Sequence, residues 1–256
     1  MPGSPSVLAL DFDGVICDGL KEYFQTSWQA YAQIWQTDTT PNEQIAPAFY
    51  RLRPVIETGW EMPILIRSLV VGVQEEEILQ NWLTIATQTI EKEQLKPLEI
   101  SAAVDGIRDR KIATDLDNWL AEHEFYPGVI DRLNTILNSS TDFFIISTKE
   151  GRFIKQLLKQ EGIELADSQV YGKESKRPKP QVLKELQQVY QGAIWFVEDR
   201  LKTLQAVEQQ ESLQEVELFL ADWGYNTRSE REEAQNSDRV HLISLNQFGQ
   251  DFSNWL

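Results

Sequence analysis

The chain has 256 residues, 41% of them hydrophobic, enough for one substantial core and a smaller second unit. A formal charge of -16 and a pI near 4.6 exclude nucleic acid and anionic membranes as general partners, although a metal ion can still invert the field locally for a phosphorylated small molecule. Cys17 is the only cysteine, which excludes an intramolecular disulfide and any multi-cysteine metal site. With no signal-peptide pattern in Met1 to Ser6 and no apolar run near ~20 residues, a soluble cytoplasmic protein is expected.

The first element is Val7-Leu8-Ala9-Leu10, a short buried-strand pattern ending in Asp11-Phe12-Asp13-Gly14. Residues two apart on a strand point the same way, so Asp11 and Asp13 face one centre. Two carboxylates so placed repel each other and need a cation or a chemical role. Residues 20–35 then carry Leu20, Tyr23, Phe24, Trp28, Tyr31 and Trp35 at helical spacing. The helical rhythm continues to about residue 120. A helix is predicted over 75–95 and another through Val104, Ile107, Leu116 and Trp119, with Gly106 as its weak point. Pro41, Pro47, Pro54 and Pro63 punctuate the stretch between into short pieces.

After Tyr126-Pro127-Gly128 the pattern changes to short apolar runs alternating with helices. Strands are predicted at 142–146, 168–171, 193–197, 216–220 and 240–243, and helices at 150–161, 180–190 and 200–209. This alternation implies an α/β fold, a Rossmann-like doubly wound and mostly parallel sheet. The first strand must join that later sheet. Residues 1–18 and 120–256 are therefore expected to form the core, with 19–119 an inserted all-helical domain.

Polar groups fall where such sheets bind ligands, beyond the carboxyl ends of strands. Ser147-Thr148 follows one strand and offers a hydroxyl to a phosphoryl oxygen, or simply caps a helix. Lys173 to Lys179 is a basic loop stiffened by Pro178 and Pro180, and alone would pass for a solvated surface loop. Glu198-Asp199 follows Ile194 to Val197, and alone would be charge complementation at a helix start.

In this order, these segments resemble the motifs of the haloacid dehalogenase superfamily of aspartate-nucleophile phosphohydrolases. Asp11-Phe12-Asp13-Gly14-Val15 is similar to its first motif, Ser147-Thr148 to the second and Glu198-Asp199 to the fourth. Tyr126-Pro127-Gly128-Val129 and Trp223-Gly224-Tyr225-Asn226 resemble segments of phosphoglycolate-phosphatase-like members. The insertion resembles the type-1 helical cap. For the third motif's lysine, Lys179 is favoured over Lys176, and Arg177 comes last because a guanidinium does not replace an ammonium.

The resemblance implies Asp11 as nucleophile and Asp13 as general acid and base, with the lysine neutralising both nucleophile and transferring oxygens. It implies Mg²⁺ held by Asp11, the Asp13 carbonyl and Asp199, with Glu198 a direct or water-mediated partner. Ser147 and Thr148 would bind the phosphoryl group of a small phosphorylated metabolite. In the helical insert, Arg53 or Arg51 is placed against an anionic leaving group, or is an ordinary surface arginine beside a core tryptophan. His123 and Cys17 are expected to be structural. A phosphomutase using the same nucleophile and an inactive binding member are the alternatives, and a monomer or homodimer is expected.

Overall fold

The computed structural model describes residues 3–256, which divide into two compact units. One comprises the chain up to Asp18 together with Glu124–Leu256, and the other is Gly19–His123.

The first unit is built on strands β1 (Val7–Leu10), β2 (Cys17–Asp18), β3 (Glu124–Phe125), β4 (Asp142–Ile146), β5 (Val170–Tyr171), β6 (Ile194–Glu198), β7 (Val216–Ala221) and β8 (Val240–Ile243). Six of them form one sheet in the order β5-β4-β1-β6-β7-β8, with every neighbouring pair parallel. β1 is central and buried along its whole length, which is why its apolar run is continuous rather than alternating. On one face, Val7, Ala9, Phe144, Ile194, Phe196 and Leu218 share a core. On the other, Trp195 packs 5.0 Å from Phe219 and 5.5 Å from Phe252, ring centre to ring centre. β2 and β3 pair antiparallel, Cys17 with Phe125 and Asp18 with Glu124, so a two-residue ribbon joins the chain where it leaves this unit to where it returns.

The helical unit holds α1 (Leu20–Trp35), α2 (Ile45–Leu52), α3 (Glu61–Val70), α4 (Glu75–Lys92), α5 (Pro97–Thr114) and α6 (Leu116–Leu120). Its core includes Phe24, Phe49, Leu52, Ile64, Ile78 and Val104. Where one helix is expected to run through residues 104 to 119, there are two. α5 begins earlier, at Pro97, whose missing N–H costs nothing in a first turn, and it passes through Gly106. Asp115 then leaves helical geometry and caps α6 by accepting the Asn118 N–H. Pro47 and Pro63 likewise sit in the first turns of α2 and α3 instead of interrupting them.

A buried ion pair ties three of these helices together. Glu22, 1% exposed, accepts Arg108 Nε at 2.8 Å and Nη2 at 3.0 Å, Thr26 Oγ1 at 2.8 Å and the Trp119 indole at 3.2 Å. The Trp119 bond fastens α6 to the helical unit, so the chain returns to the sheet unit at Glu124 and not at residue 120. Truncating Glu22 leaves the Arg108 guanidinium, a quarter exposed, with Asp105 at 3.9 Å in place of its close carboxylate partner. Glu22→Ala is expected to destabilise the helical unit by about 3 kcal/mol, read as a lowered thermal midpoint. A shift no larger than that of an exposed Glu→Ala would show the pair to be incidental.

The sheet is covered by α7 (Val129–Leu137), α8 (Gly151–Gln160), α9 (Lys179–Val189), α10 (Leu201–Glu208), α11 (Arg228–Gln235) and α12 (Leu245–Phe248). No helix among the described residues is long and apolar enough to cross a membrane.

Candidate active site

Strand register brings the polar strand ends together. Leu10 pairs with Ile145 on β4 and with Val197 on β6, so Asp11, Ser147 and Glu198 emerge from three adjacent strands at the same end of the sheet. Asp11 is held there by its N–H donating to the Val197 carbonyl at 2.9 Å, while its Oδ1 accepts the Phe12 N–H at 2.7 Å.

Lys179, the first residue of α9, reaches into this cluster. Its ammonium lies 2.7 Å from Asp11 Oδ2 and 2.6 Å from Glu198 Oε2. Lys176 does not share that position. It is exposed, in left-handed geometry with φ 51° at the end of a short 3-10 turn, and Arg177 pairs instead with Glu185. The difference is geometric: Pro178 and Pro180 stop one turn and start the next helix, so only Lys179 is aimed inward.

Glu198 is fully buried, and its other oxygen accepts the N–H groups of Asp199 and Arg200 at 3.2 and 3.1 Å. Asp199 is fixed by the loop Trp223 to Asn226. Its Oδ2 accepts the Tyr225 N–H at 2.7 Å, and its carbonyl accepts Asn226 Nδ2 at 3.0 Å. Gly14 and Gly224 press on this carboxylate. A Cβ on Gly14, where φ is +83°, would stand 2.1 Å from Asp199 Oδ2, and one on Gly224 would stand 2.3 Å from Asp199 Cβ.

Asp11, Glu198 and Asp199 each offer an oxygen within 4.8 Å of the others, and all three are buried. Burial pushes the Asp11 carboxyl up to about 7 against the pull of Lys179, and Glu198 up to about 7 likewise. Asp199 is also raised, by burial and then by Asp11. Burial works against the Lys179 ammonium too, but Asp11 and Glu198 outweigh it and raise its pKa. When ionised, three carboxylates against one ammonium leave an excess of two negative charges among these buried groups. An all-oxygen set with that excess fits a hard divalent cation such as Mg²⁺. Glu198 accepts three hydrogen bonds over its two oxygens and Asp11 accepts one on each, so Glu198 is the most fully engaged of the three.

The carboxylate of Asp13 is not part of this trio. It meets the ammonium of Lys149, at 3.1 and 3.4 Å to its two oxygens. Ser147 is buried, its N–H donating to the Tyr171 carbonyl at 2.9 Å, whereas Thr148 is exposed. In the helical unit, the Arg53 guanidinium lies 4.9 Å over the Tyr23 ring and donates to the Ile56 carbonyl at 3.1 Å. Arg51 pairs with Glu75, and His123 Nδ1 contacts the Trp119 carbonyl at 3.1 Å. Cys17 is buried, which pushes its thiol above the ordinary range and makes it unreactive.

Lys149 is a residue of this cluster that no sequence motif singles out. The chemical capacity of the site is clear from its parts. A carboxylate beside an ammonium can act as a nucleophile, a second carboxylate two residues on can carry a proton, and a third can share a cation.

No family model and no curated protein matches this chain. Solved structures do. A hydrolase described as a haloacid dehalogenase-like family protein from Streptococcus pneumoniae is 16% identical, with a TM-score of 0.57 over 94% of both chains. A candidate phosphoglycolate phosphatase from Lactobacillus delbrueckii is 13% identical, with a TM-score of 0.59 over 94% of this chain and 95% of that one. A candidate phosphatase from Clostridium acetobutylicum is 12% identical, with a TM-score of 0.58 over 96% of this chain and 97% of that one. The chain shares the fold of haloacid dehalogenase-like hydrolases.

Proposed function

We propose that this protein is a Mg²⁺-dependent phosphatase that hydrolyses a small phosphorylated metabolite through a phosphoaspartate at Asp11. The observation that carries this reading is the Lys179 ammonium bridging Asp11 and Glu198 at 2.7 and 2.6 Å, with Asp199 completing a buried acidic trio at the carboxyl end of the central strands. The candidate phosphatases among its structural neighbours support the same class.

In the first half-reaction an Asp11 oxygen attacks phosphorus. The bond from phosphorus to the bridging oxygen breaks, and Asp13 gives its proton to that oxygen, releasing an alcohol. In the second, water attacks the same phosphorus, the Asp11–phosphorus bond breaks, and Asp13 takes the water's proton, restoring both carboxyls. Lys179 holds Asp11 in place and offsets charge on the transferring oxygens, and Ser147 donates a hydroxyl to them. Asp11, Asp199 and the Asp13 carbonyl would hold Mg²⁺, with Glu198 anchoring Lys179 beside it. The ion supplies the positive charge that a phosphate dianion needs in order to sit among carboxylates.

The test is phosphate release from a panel of phosphorylated metabolites with Mg²⁺, run beside Asp11→Asn. Turnover of one or more small phosphomonoesters by wild type alone is expected. No turnover by wild type would sink the reading, and transfer of the phosphoryl group back to a bound sugar phosphate would replace it with a mutase.

A further inference from the structure

Lys149 lies outside every motif, yet it is built into the site. Its side chain is 10% exposed, and it pairs with an Asp13 carboxylate that is 17% exposed. Its N–H donates to Ser147 Oγ at 3.3 Å, and its carbonyl accepts the Lys173 N–H at 2.9 Å. The residue is thus fastened to the end of β4 on one side and to the loop that leads to Lys179 on the other. Glu174 in that loop strengthens the link by accepting the Gly151 N–H at 3.0 and 3.2 Å.

The backbone of Asp13 is equally fixed. The Gly14 N–H donates to the Cys17 carbonyl at 2.8 Å, and the N–H groups of Ile16 and Cys17 both donate to the Phe12 carbonyl at 2.9 Å. None of these bonds sets the plane of the Asp13 carboxyl, and the terminal torsion of an aspartate is intrinsically broad. The Lys149 ammonium, at 3.1 and 3.4 Å from the two oxygens, sets it. The two aspartates of the opening motif therefore each have their own lysine, Lys179 for Asp11 and Lys149 for Asp13.

We propose that Lys149 is the positioning residue for the proton-transferring Asp13. It holds that carboxyl where it can reach the bridging oxygen in the first half-reaction and the attacking water in the second. The proposal rests on the phosphatase reading above. Misplacing a catalytic group by about 1 Å costs on the order of 10²-fold, and general acid catalysis matters most when the leaving group is poor.

The experiment compares an alkyl phosphomonoester with p-nitrophenyl phosphate, whose leaving group departs without a proton. Lys149→Met is expected to lower kcat/KM about 10²-fold for the alkyl ester and less than about 3-fold for the aryl ester. In an Asp13→Asn background, Lys149→Met should add nothing further, because the group it positions is already gone. The aryl ester doubles as the check on folding, and Lys149→Gln replaces the methionine variant if that one melts below assay temperature. Equal losses on both esters, or losses that add to those of Asp13→Asn, overturn the proposal. The alkyl ester is the one that wild type turns over fastest in the metabolite panel, and a wild-type protein that turns over none of that panel overturns the phosphatase reading itself, and this role with it.

Discussion

Asp11→Asn is expected to lower phosphate release by about four orders of magnitude or more while leaving the protein folded. The substitution keeps the shape of the side chain and removes only its charge. An amide is a poor nucleophile for phosphorus, so the loss should appear in kcat and kcat/KM together, not in KM alone. Misfolding is separable from this effect. Glu198 still pairs with Lys179 at 2.6 Å, and the variant no longer ionises a carboxyl that is 8% exposed. Its metal-free thermal midpoint at neutral pH should therefore equal or exceed that of wild type. If the variant kept more than about 1% of wild-type turnover, Asp11 would not be the nucleophile, and a directly attacking water would have to be considered.

The parts of this molecule legible in the sequence are those that local chemistry specifies. β1 is a continuous apolar run because both of its faces are covered, and parallel strands alternating with helices follow from periodicity alone. Asp11, Glu198 and Asp199 stand out because acidic residues at the ends of apolar strands are conspicuous. The illegible parts depend on partners distant in the chain. Glu22 and Arg108 are 86 residues apart, and neither has a neighbour that hints at the other. The β2–β3 ribbon pairs two residues with two across the whole helical insertion, too short to leave a pattern. Lys149 resembles any surface lysine until the fold sets it against Asp13, 136 residues earlier. The break at Asp115 was hidden by helical spacing that continues across it. A single capping side chain decides where α5 stops and α6 starts, and periodicity does not register it.

Removing divalent cations with a chelator should abolish phosphate release, and restoring Mg²⁺ should recover it. The same ion should stabilise the fold in a pH-dependent way. Asp11 and Glu198 ordinarily ionise at 3.8 and 4.5, whereas in the folded protein burial moves both to about 7. Between these limits the folded state holds protons that the unfolded state has lost, so metal-free stability falls as pH rises from about 4 to about 7 and levels off above. The slope is at most about 1.4 kcal/mol per pH unit for each carboxyl. Lys179 does not alter the sign, since its shift is upward and it stays charged throughout this window. Mg²⁺ binds the ionised carboxylates and must displace those protons below pH 7, so its stabilisation should be larger at pH 8 than at pH 5. At an ion concentration a hundredfold above its dissociation constant, the gain at pH 8 is about 2.7 kcal/mol, several degrees in thermal midpoint. Thermal melts at the two pH values, with and without Mg²⁺, measure this directly and need no substrate. Asp199→Asn should lose most of the Mg²⁺ shift, and Asp11→Asn should flatten the metal-free pH slope by one carboxyl. A Mg²⁺ shift that is absent from wild type, or equal at both pH values, would mean that the buried trio is not where the cation binds.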